Sequence, residues 1–124
     1  MDLLKVLKRF MLTPALSGYE SEMAYALIDE IKEYVDSTRI DKIGNVITKI
    51  EGSEKDALKV MIYAHIDQLG FIVRKIEDDG FIQVDRLGGI PEKVLPGLDV
   101  SIRTKTGNYV NGVIGMKSHH ATSP

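Results

Sequence analysis

Two side chains with metal-binding chemistry lie two residues apart in the segment Ala64-His65-Ile66-Asp67-Gln68. An imidazole can coordinate a divalent ion through one ring nitrogen, and a carboxylate commonly fixes the ring and its tautomer. In an extended backbone His65 and Asp67 point to the same side, so Asp67 is the nearest candidate for that supporting role. A single histidine that follows a strand is also often a hydrogen-bonded core or rim residue. The residues alone leave both interpretations open.

A second group of imidazoles, His119 and His120, lies near the last residue of the sequence. Its functional interpretation is a metal ligand or a substrate contact, and the alternative is a flexible pair with neither role. A purification tag is a poorer explanation, because the histidine run is short and residues 121–124 (ATSP) follow it. On the residues alone, the flexible pair is favoured.

Other catalytic patterns are absent from the sequence. It contains no cysteine, which excludes a disulfide framework, a thiolate metal site and a cysteine nucleophile. There is no Gly-x-Ser-x-Gly elbow, and residues 88–89 (GG) do not open a phosphate-binding loop. Ser17 is better explained as a helix cap than as a nucleophile. Residues 17–20 (SGYE) match a capping box, in which Ser17 accepts from the Glu20 amide and Glu20 reaches back to Ser17.

Composition and charge restrict the class of protein. The 124 residues are 44% hydrophobic and 27% charged, which is typical of a globular protein of one domain or parts of two. The net charge of −2 gives no electrostatic argument for nucleic acid or an anionic membrane as a partner. No apolar stretch is long enough for a membrane span, and the first residues lack the features of a signal peptide. We therefore expect a cytoplasmic protein.

The elements that must position His65 belong to an α/β pattern. Helical periodicity covers residues 3–11, and a second helix is predicted from the capping box to about residue 34, with its inner stripe at Met23, Ala24, Leu27, Ile28 and Ile31. Alternating residues then predict strands at 38–43 and 46–50. Residues 58–64 (LKVMIYA) are apolar on both faces and predict a strand buried in an α/β sheet. His65 would follow that strand directly, at the sheet edge where ligands collect in such folds.

The character of the sequence changes beyond residue 70. Residues 71–76 and 81–84 flank a turn at 78–80 (DDG), and residues 100–104 and 109–116 flank a turn at 106–108 (TGN). Two hairpins and no further long helix are predicted. We therefore predict a boundary near residue 70, with one domain over 1–70 and a small β module over 71–124. We also expect that the chain is cut inside this module, because the final residues form no closing strand.

In the order and spacing of its motifs, the sequence resembles the M42 family of metallo-aminopeptidases. The motifs that carry the resemblance are residues 17–20 (SGYE), 41–46 (DKIGNV), 64–71 (AHIDQLGF), 88–91 (GGIP), 94–97 (VLPG) and 112–115 (GVIG). Each motif is weak alone, but together they extend over nearly the whole chain. The resemblance implies the N-terminal part of a mixed-sheet α/β zinc-peptidase domain, followed by the beginning of a small inserted β domain that helps subunits assemble.

The resemblance also implies an activity and a site. The family removes amino-terminal residues from peptides, uses two divalent metal ions, with zinc or cobalt expected, and commonly forms a homo-oligomeric shell of twelve subunits. His65 matches the first metal-ligand histidine. Asp67 matches the aspartate that supports this ligand and is counted with the catalytic residues. His120 matches a histidine near the return to the peptidase domain, with its role left open.

The sequence departs from the family pattern at the residues that would complete the metal site. The bridging aspartate, the catalytic glutamate and the other ligands of the family come later in the chain and match nothing here. A catalytic zinc site needs about three protein ligands, and this chain offers one. We therefore expect the 124 residues alone to be inactive. The alternative to an enzyme is a non-catalytic β module for assembly or peptide binding, and the residues that follow Pro124 would separate the two.

Overall fold

A computed structural model describes residues 2–116 of the chain. It divides the chain into two compact units, Met1–Gly88 and Gly89–Pro124. The boundary predicted after residue 70 stays a prediction, because compactness does not assign a segment to either of the family's domains. His119 and His120 lie outside the described residues.

Helix α1 spans Leu3–Leu12, as its apolar periodicity predicts. The carboxylate of Asp2 caps it by accepting from the amides of Leu4 and Lys5 at 3.1 and 3.3 Å. The guanidinium of Arg9 donates to carboxylates of the second helix, at 3.0 Å to Asp29 and 3.1 Å to Glu30. These ion pairs fix the first helix against the second.

Helix α2 spans Ser21–Ile31 and carries most of the buried core. Its buried side chains are Met23, Ala24 and Ala26, of which the first two were predicted. The helix ends earlier than residue 34, and its predicted capping box is wrong. Glu20 is the N-cap, without a side-chain cap bond, and its carboxylate accepts from the amide of Gly18 instead of that of Ser17.

The unit Met1–Gly88 contains two antiparallel hairpins. Strands β1 (Ser37–Ile40) and β2 (Val46–Lys49) form the first, and β3 (Gly70–Ile76) and β4 (Ile82–Leu87) form the second, with a register shift between Val73 and Lys75. Glycine at positive φ closes each turn, Gly44 at 95° and Gly80 at 88°. Glycine adopts this conformation without a steric cost, which is why both turns were predictable.

The unit that begins at Gly89 contains a short 3-10 helix and one hairpin. The 3-10 helix spans Glu92–Val94, and strands β5 (Asp99–Arg103) and β6 (Tyr109–Val113) pair antiparallel. Gly107 closes the turn with a φ of 85°, inside the turn predicted at 106–108. The second predicted hairpin is therefore confirmed.

The strand predicted at residues 58–64 is wrong for the described structure. These residues pair with no strand among residues 2–116, and their apolar side chains are exposed, up to 92% for Ile62. A strand buried on both faces needs a neighbour on each edge and a layer on each face. The described elements supply none of these to residues 58–64, so the apolar run lies in solvent.

Helices and sheets are both present, as the sequence predicts. Strand pairing within residues 2–116 forms three separate antiparallel pairs, and the mixed sheet stays a prediction. No helix within this range combines the length and the apolar character needed to cross a bilayer.

Candidate functional site

The loop between α1 and α2 lies beside the segment that follows His65. Leu16 and Gln68 form an isolated parallel β-bridge, and the amide of Gln68 donates to the carbonyl of Ala15 at 2.7 Å. Ala15 is 1% exposed, and the side-chain amide of Gln68 donates to the carbonyl of Phe10 at 3.3 Å. Backbone contacts and a buried alanine therefore place residues 15–17 against residues 67–68.

His65 and Asp67 face each other, as predicted from their spacing. The Nδ1 atom of His65 lies 3.0 Å from Oδ1 of Asp67 and 3.1 Å from the Asp67 carbonyl oxygen. A carbonyl and an ionised carboxylate only accept hydrogen bonds, so Nδ1 carries the proton. The neutral ring then has its lone pair on Nε2. That is the form in which an imidazole binds a metal ion.

Ser17 completes this group from the other side of the carboxylate. Its hydroxyl donates to Oδ2 of Asp67 at 2.6 Å. The Ser17 hydroxyl is the main cause that lowers the pKa of Asp67, and the hydrogen bond from His65 lowers it further. Both donors favour the charged carboxylate. Asp67 is therefore held ionised, with each of its oxygens bound to a different donor.

The three side chains lie on an open depression rather than in a core. Its lining residues are Ser17, His65, Asp67, Gln68, Leu69 and Gly88. The side chain of His65 is 85% exposed, and that of Asp67 is half-buried. The predicted position of the His65 ring on a cleft agrees with this depression, although no buried strand leads into it.

The chemistry of His65 and Asp67 fits one ligand of a metal site together with its supporting acid. An imidazole with a free Nε2 and a carboxylate behind Nδ1 is the arrangement of a histidine ligand with its supporting acid. Within residues 2–116, no group of three or more His, Cys, Asp or Glu side chains could hold a metal ion. The described residues therefore offer one candidate ligand, and the assignments of His65 as ligand and Asp67 as its support stay predictions.

Ser17 is the member of this group that the sequence prediction missed. Its place at the front of a capping box explained it locally, and the structure instead directs its hydroxyl to Asp67. No local sequence signal indicates this contact, because Ser17 and Asp67 are 50 positions apart. His120, the third predicted position, lies outside the described residues and stays untested.

Comparison with known proteins identifies the family of this chain. The family profile described as M42 glutamyl aminopeptidase matches residues 44–124. A lysyl aminopeptidase of Pyrococcus furiosus is 34% identical over 117 residues, which are 94% of this chain and 33% of that protein. This chain thus spans about a third of the length of that relative.

Solved structures agree with the sequence comparison. The TET aminopeptidase of a marine sediment archaeon of the Thaumarchaeota matches 98% of this chain, with a TM-score of 0.88 and 30% identity. The TET1 peptidase of Pyrococcus horikoshii, which can assemble into a tetrahedron or a large octahedral shell, matches 99%, with a TM-score of 0.81 and 31% identity. The chain covers 33% and 36% of these two proteins. The family profile covers more than half of the chain, and the chain therefore belongs to the family that it describes: the M42 glutamyl aminopeptidases.

Proposed function

We propose that this chain is the N-terminal part of a two-metal aminopeptidase that removes amino-terminal residues from peptides. Family membership supports the reaction class, because the matched profile and the relatives are named for aminopeptidase activity. The chain covers only about a third of those relatives, so the activity, the peptide substrates and the partners of the whole protein belong to the proposal.

The observation that carries the proposal is the contact of His65 Nδ1 with two oxygen atoms of Asp67. Two acceptors from Asp67 hold the proton on Nδ1, at 3.0 and 3.1 Å, and leave Nε2 as a free donor of an electron pair. The ring is exposed on an open depression, where an ion and a peptide can reach it. A histidine that packs in a core lacks this exposure.

In this proposal the chain's own residues bind a metal ion and orient the side chain that binds it. His65 holds one of two divalent ions, zinc or cobalt, and Asp67 fixes the ring that does so. Divalent ions bound at such a site polarise the peptide carbonyl and make a water molecule a stronger nucleophile. The further ligands and the acid–base glutamate come from outside the described residues, because one imidazole cannot hold a catalytic ion alone.

The architecture of the whole protein is a further part of the proposal. The helices and the hairpin β1–β2 belong to the peptidase domain, and residues from 71 onward begin the inserted β domain. The protein forms a homo-oligomer with the form of a twelve-subunit shell, because the TET1 peptidase can assemble into a tetrahedron or a large octahedral shell. In this proposal it acts in the cytoplasm, and neither nucleic acid nor a membrane is a binding partner.

Substitution of His65 tests the proposal in the full-length protein. We expect His65→Ala to abolish both peptide hydrolysis and metal retention, because the substitution removes a direct bond to the ion. The fold should survive, since the His65 side chain is 85% exposed and supports no packing. Metal content after dialysis, hydrolysis of aminoacyl amides and circular dichroism measure the three quantities.

Lys59→Ala serves as the matched control, because it shortens an exposed side chain in the same segment without a predicted role. It should keep metal and activity at the level of the unmodified protein. A His65→Ala protein with full metal content and full activity would end the metal assignment. A full-length protein that binds no metal and hydrolyses no peptide would favour the non-catalytic module instead.

A further inference from the structure

We propose that Ser17 is a positioning residue for the metal site: its hydroxyl holds the Asp67 carboxylate so that Asp67 keeps Nε2 of His65 free for a divalent ion. This inference rests on the proposed function, because it needs His65 to bind a metal. It adds a residue from a distant segment, the loop between α1 and α2, to the support of that ligand.

The two oxygens of the Asp67 carboxylate accept from two different donors. Oδ2 of Asp67 accepts from the Ser17 hydroxyl at 2.6 Å, and Oδ1 accepts from Nδ1 of His65 at 3.0 Å. Hydrogen bonds to an ionised acceptor are the stronger class. With one oxygen held on each side, the carboxylate plane is fixed from two directions.

Within residues 2–116, the described hydrogen bonds of the His65 ring go only to Asp67. The His65 side chain is 85% exposed, so packing does not restrict rotation of its ring. The side chain of Asp67 is itself 41% exposed. Without the Ser17 hydroxyl, Oδ2 would turn to water and the carboxylate would gain freedom to leave Nδ1.

Backbone contacts hold Ser17 in place and do not depend on its hydroxyl. The bridge between Leu16 and Gln68 and the bond from the Gln68 amide to the Ala15 carbonyl fix the neighbouring residues. A Cβ on Gly70 would lie 2.6 Å from Cδ1 of Leu16, which shows how closely the two segments pack. Removal of the hydroxyl should therefore change the hydrogen bond and leave the loop docked.

The connectivity also excludes a nucleophilic role for Ser17 within this group. In a serine hydrolase the serine contacts the histidine, and the acid lies behind the histidine. Here the acid lies between the serine and the histidine, so His65 cannot take the Ser17 proton. The order of the contacts fits support of a ligand.

A double-mutant cycle in the full-length protein tests this role, with zinc affinity measured by competition against a chelator. The cycle contains the unmodified protein, Ser17→Ala, Asp67→Ala and the double variant. Because Ser17 acts one contact further from the ion than Asp67, we expect Ser17→Ala to weaken zinc binding about 10-fold, the low end for supporting partners. In the Asp67→Ala background, Ser17→Ala should cause no further loss.

Two more variants distinguish the effect of losing the hydroxyl from the effect of a disturbed fold. Ser17→Thr keeps a hydroxyl and should restore most of the zinc affinity. Ser21→Ala removes the same atom at the first residue of α2, where no contact with Asp67 is described, and should bind zinc normally. The midpoint of thermal unfolding, measured without metal, reports whether any variant disturbs the fold.

Different outcomes overturn different claims. Unchanged zinc affinity in Ser17→Ala, or an equal loss in both backgrounds, would overturn the role of Ser17 while His65 remains a ligand. Failure of Ser17→Thr to restore affinity, with an unchanged unfolding midpoint, would do the same. Normal zinc affinity in His65→Ala would instead overturn the proposed metal site, and the role of Ser17 with it.

Discussion

Asp67 receives hydrogen bonds from two parts of the chain, and this makes it the centre of the group at the residue scale. His65 approaches one oxygen from two positions away, and Ser17 approaches the other from the loop before α2. Both contacts need acceptors, and an ionised carboxylate provides them. The charge of Asp67 therefore contributes to the site in addition to its shape.

Asp67→Asn separates the charge of Asp67 from its shape. The amide oxygen can still accept from Nδ1 of His65, but the negative charge that strengthens the bond is lost. In the full-length protein we expect metal affinity to fall roughly 10–100-fold, as for other supporting partners of metal ligands. Isothermal titration with zinc measures the change, and loss of activity should be less complete than in His65→Ala.

Asp78→Asn is the matched control for this substitution, since it removes the same charge in the exposed turn between β3 and β4. Its metal affinity should equal that of the unmodified protein. Equal affinities for Asp67→Asn and Asp78→Asn would show that the charge of Asp67 contributes nothing to the site.

Local spacing predicted the contact between His65 and Asp67 and could not predict the contact with Ser17. Two residues at strand spacing point to one side, whatever surrounds them. Ser17 and Asp67 are 50 positions apart, and only the docking of two segments brings them together. Ser17 also had a sufficient local explanation as a cap, which concealed its distant partner.

At the scale of elements, the turn between β1 and β2 is organised by one carboxylate. Asp41 accepts from the amides of Ile43 and Asn45, each at 3.0 Å, and from the side-chain amide of Asn45 at 2.8 Å. The Asn45 side chain is the main cause that lowers the pKa of Asp41, and the backbone amides add to it. The turn is therefore most stable with Asp41 ionised.

Asn45→Ala should raise the pKa of Asp41 towards its usual value. A pKa lowered by folding means that Asp41 stabilises the fold above its unfolded pKa, and that this contribution is lost as pH falls through the folded pKa. The substitution should therefore weaken the turn at neutral pH and reduce the dependence of stability on acid pH. A titration of the Asp41 carboxyl carbon by NMR measures the pKa directly.

Asn108→Ala makes the same change in the turn between β5 and β6, where the amide of Asn108 contacts Thr106 and no carboxylate. The pKa of Asp41 should be unchanged in this control. An unchanged pKa in Asn45→Ala itself would contradict the assignment of Asn45 as the main cause.

Elements with local signals were predicted well, and the element that depends on distant neighbours was not. The two helices follow from periodicity, and each hairpin turn follows from a glycine that adopts positive φ. Residues 58–64 have an equally clear apolar pattern, but burial of a strand depends on partners that the pattern does not contain. Their exposure among the described residues shows the limit of a local argument.

At the scale of the whole molecule, the exposed apolar run is the feature with the largest consequence. The exposed apolar side chains between residues 58 and 63 are Leu58, Val60, Met61, Ile62 and Tyr63. Adjacent apolar exposure of this kind marks surfaces that associate. In the proposed full-length enzyme, we expect the rest of the chain or neighbouring subunits to cover this run.

We expect the 124-residue chain alone to associate and to lack peptidase activity. Association follows from the exposed run, and inactivity follows because residues 2–116 contain no group of three or more side chains that could hold a metal ion. Size-exclusion chromatography with light scattering measures the first, and hydrolysis of aminoacyl amides with added zinc or cobalt measures the second. Val60→Lys combined with Ile62→Lys should shift the chain towards the monomer.

The control adds the same two charges elsewhere, by Ile43→Lys with Ile50→Lys, which are exposed apolar residues outside the run. Association should persist in that variant. A stable monomer that hydrolyses peptides with bound metal would contradict both the exposed-surface argument and the proposed division of the active site.

The separation between Ser17 and Asp67 also sets an order of events in time. His65 and Asp67 are near neighbours in the chain and can meet before any fold exists, whereas Ser17 meets Asp67 only after a 50-residue segment has closed. Closure of such a segment carries an entropic cost that a pair of near neighbours does not have. If His65 binds a metal ion as proposed, a newly made chain would expose this ligand early and bind the ion weakly. Binding would become tight only when folding brings the Ser17 hydroxyl to Asp67, so metal binding and completion of the fold would favour each other.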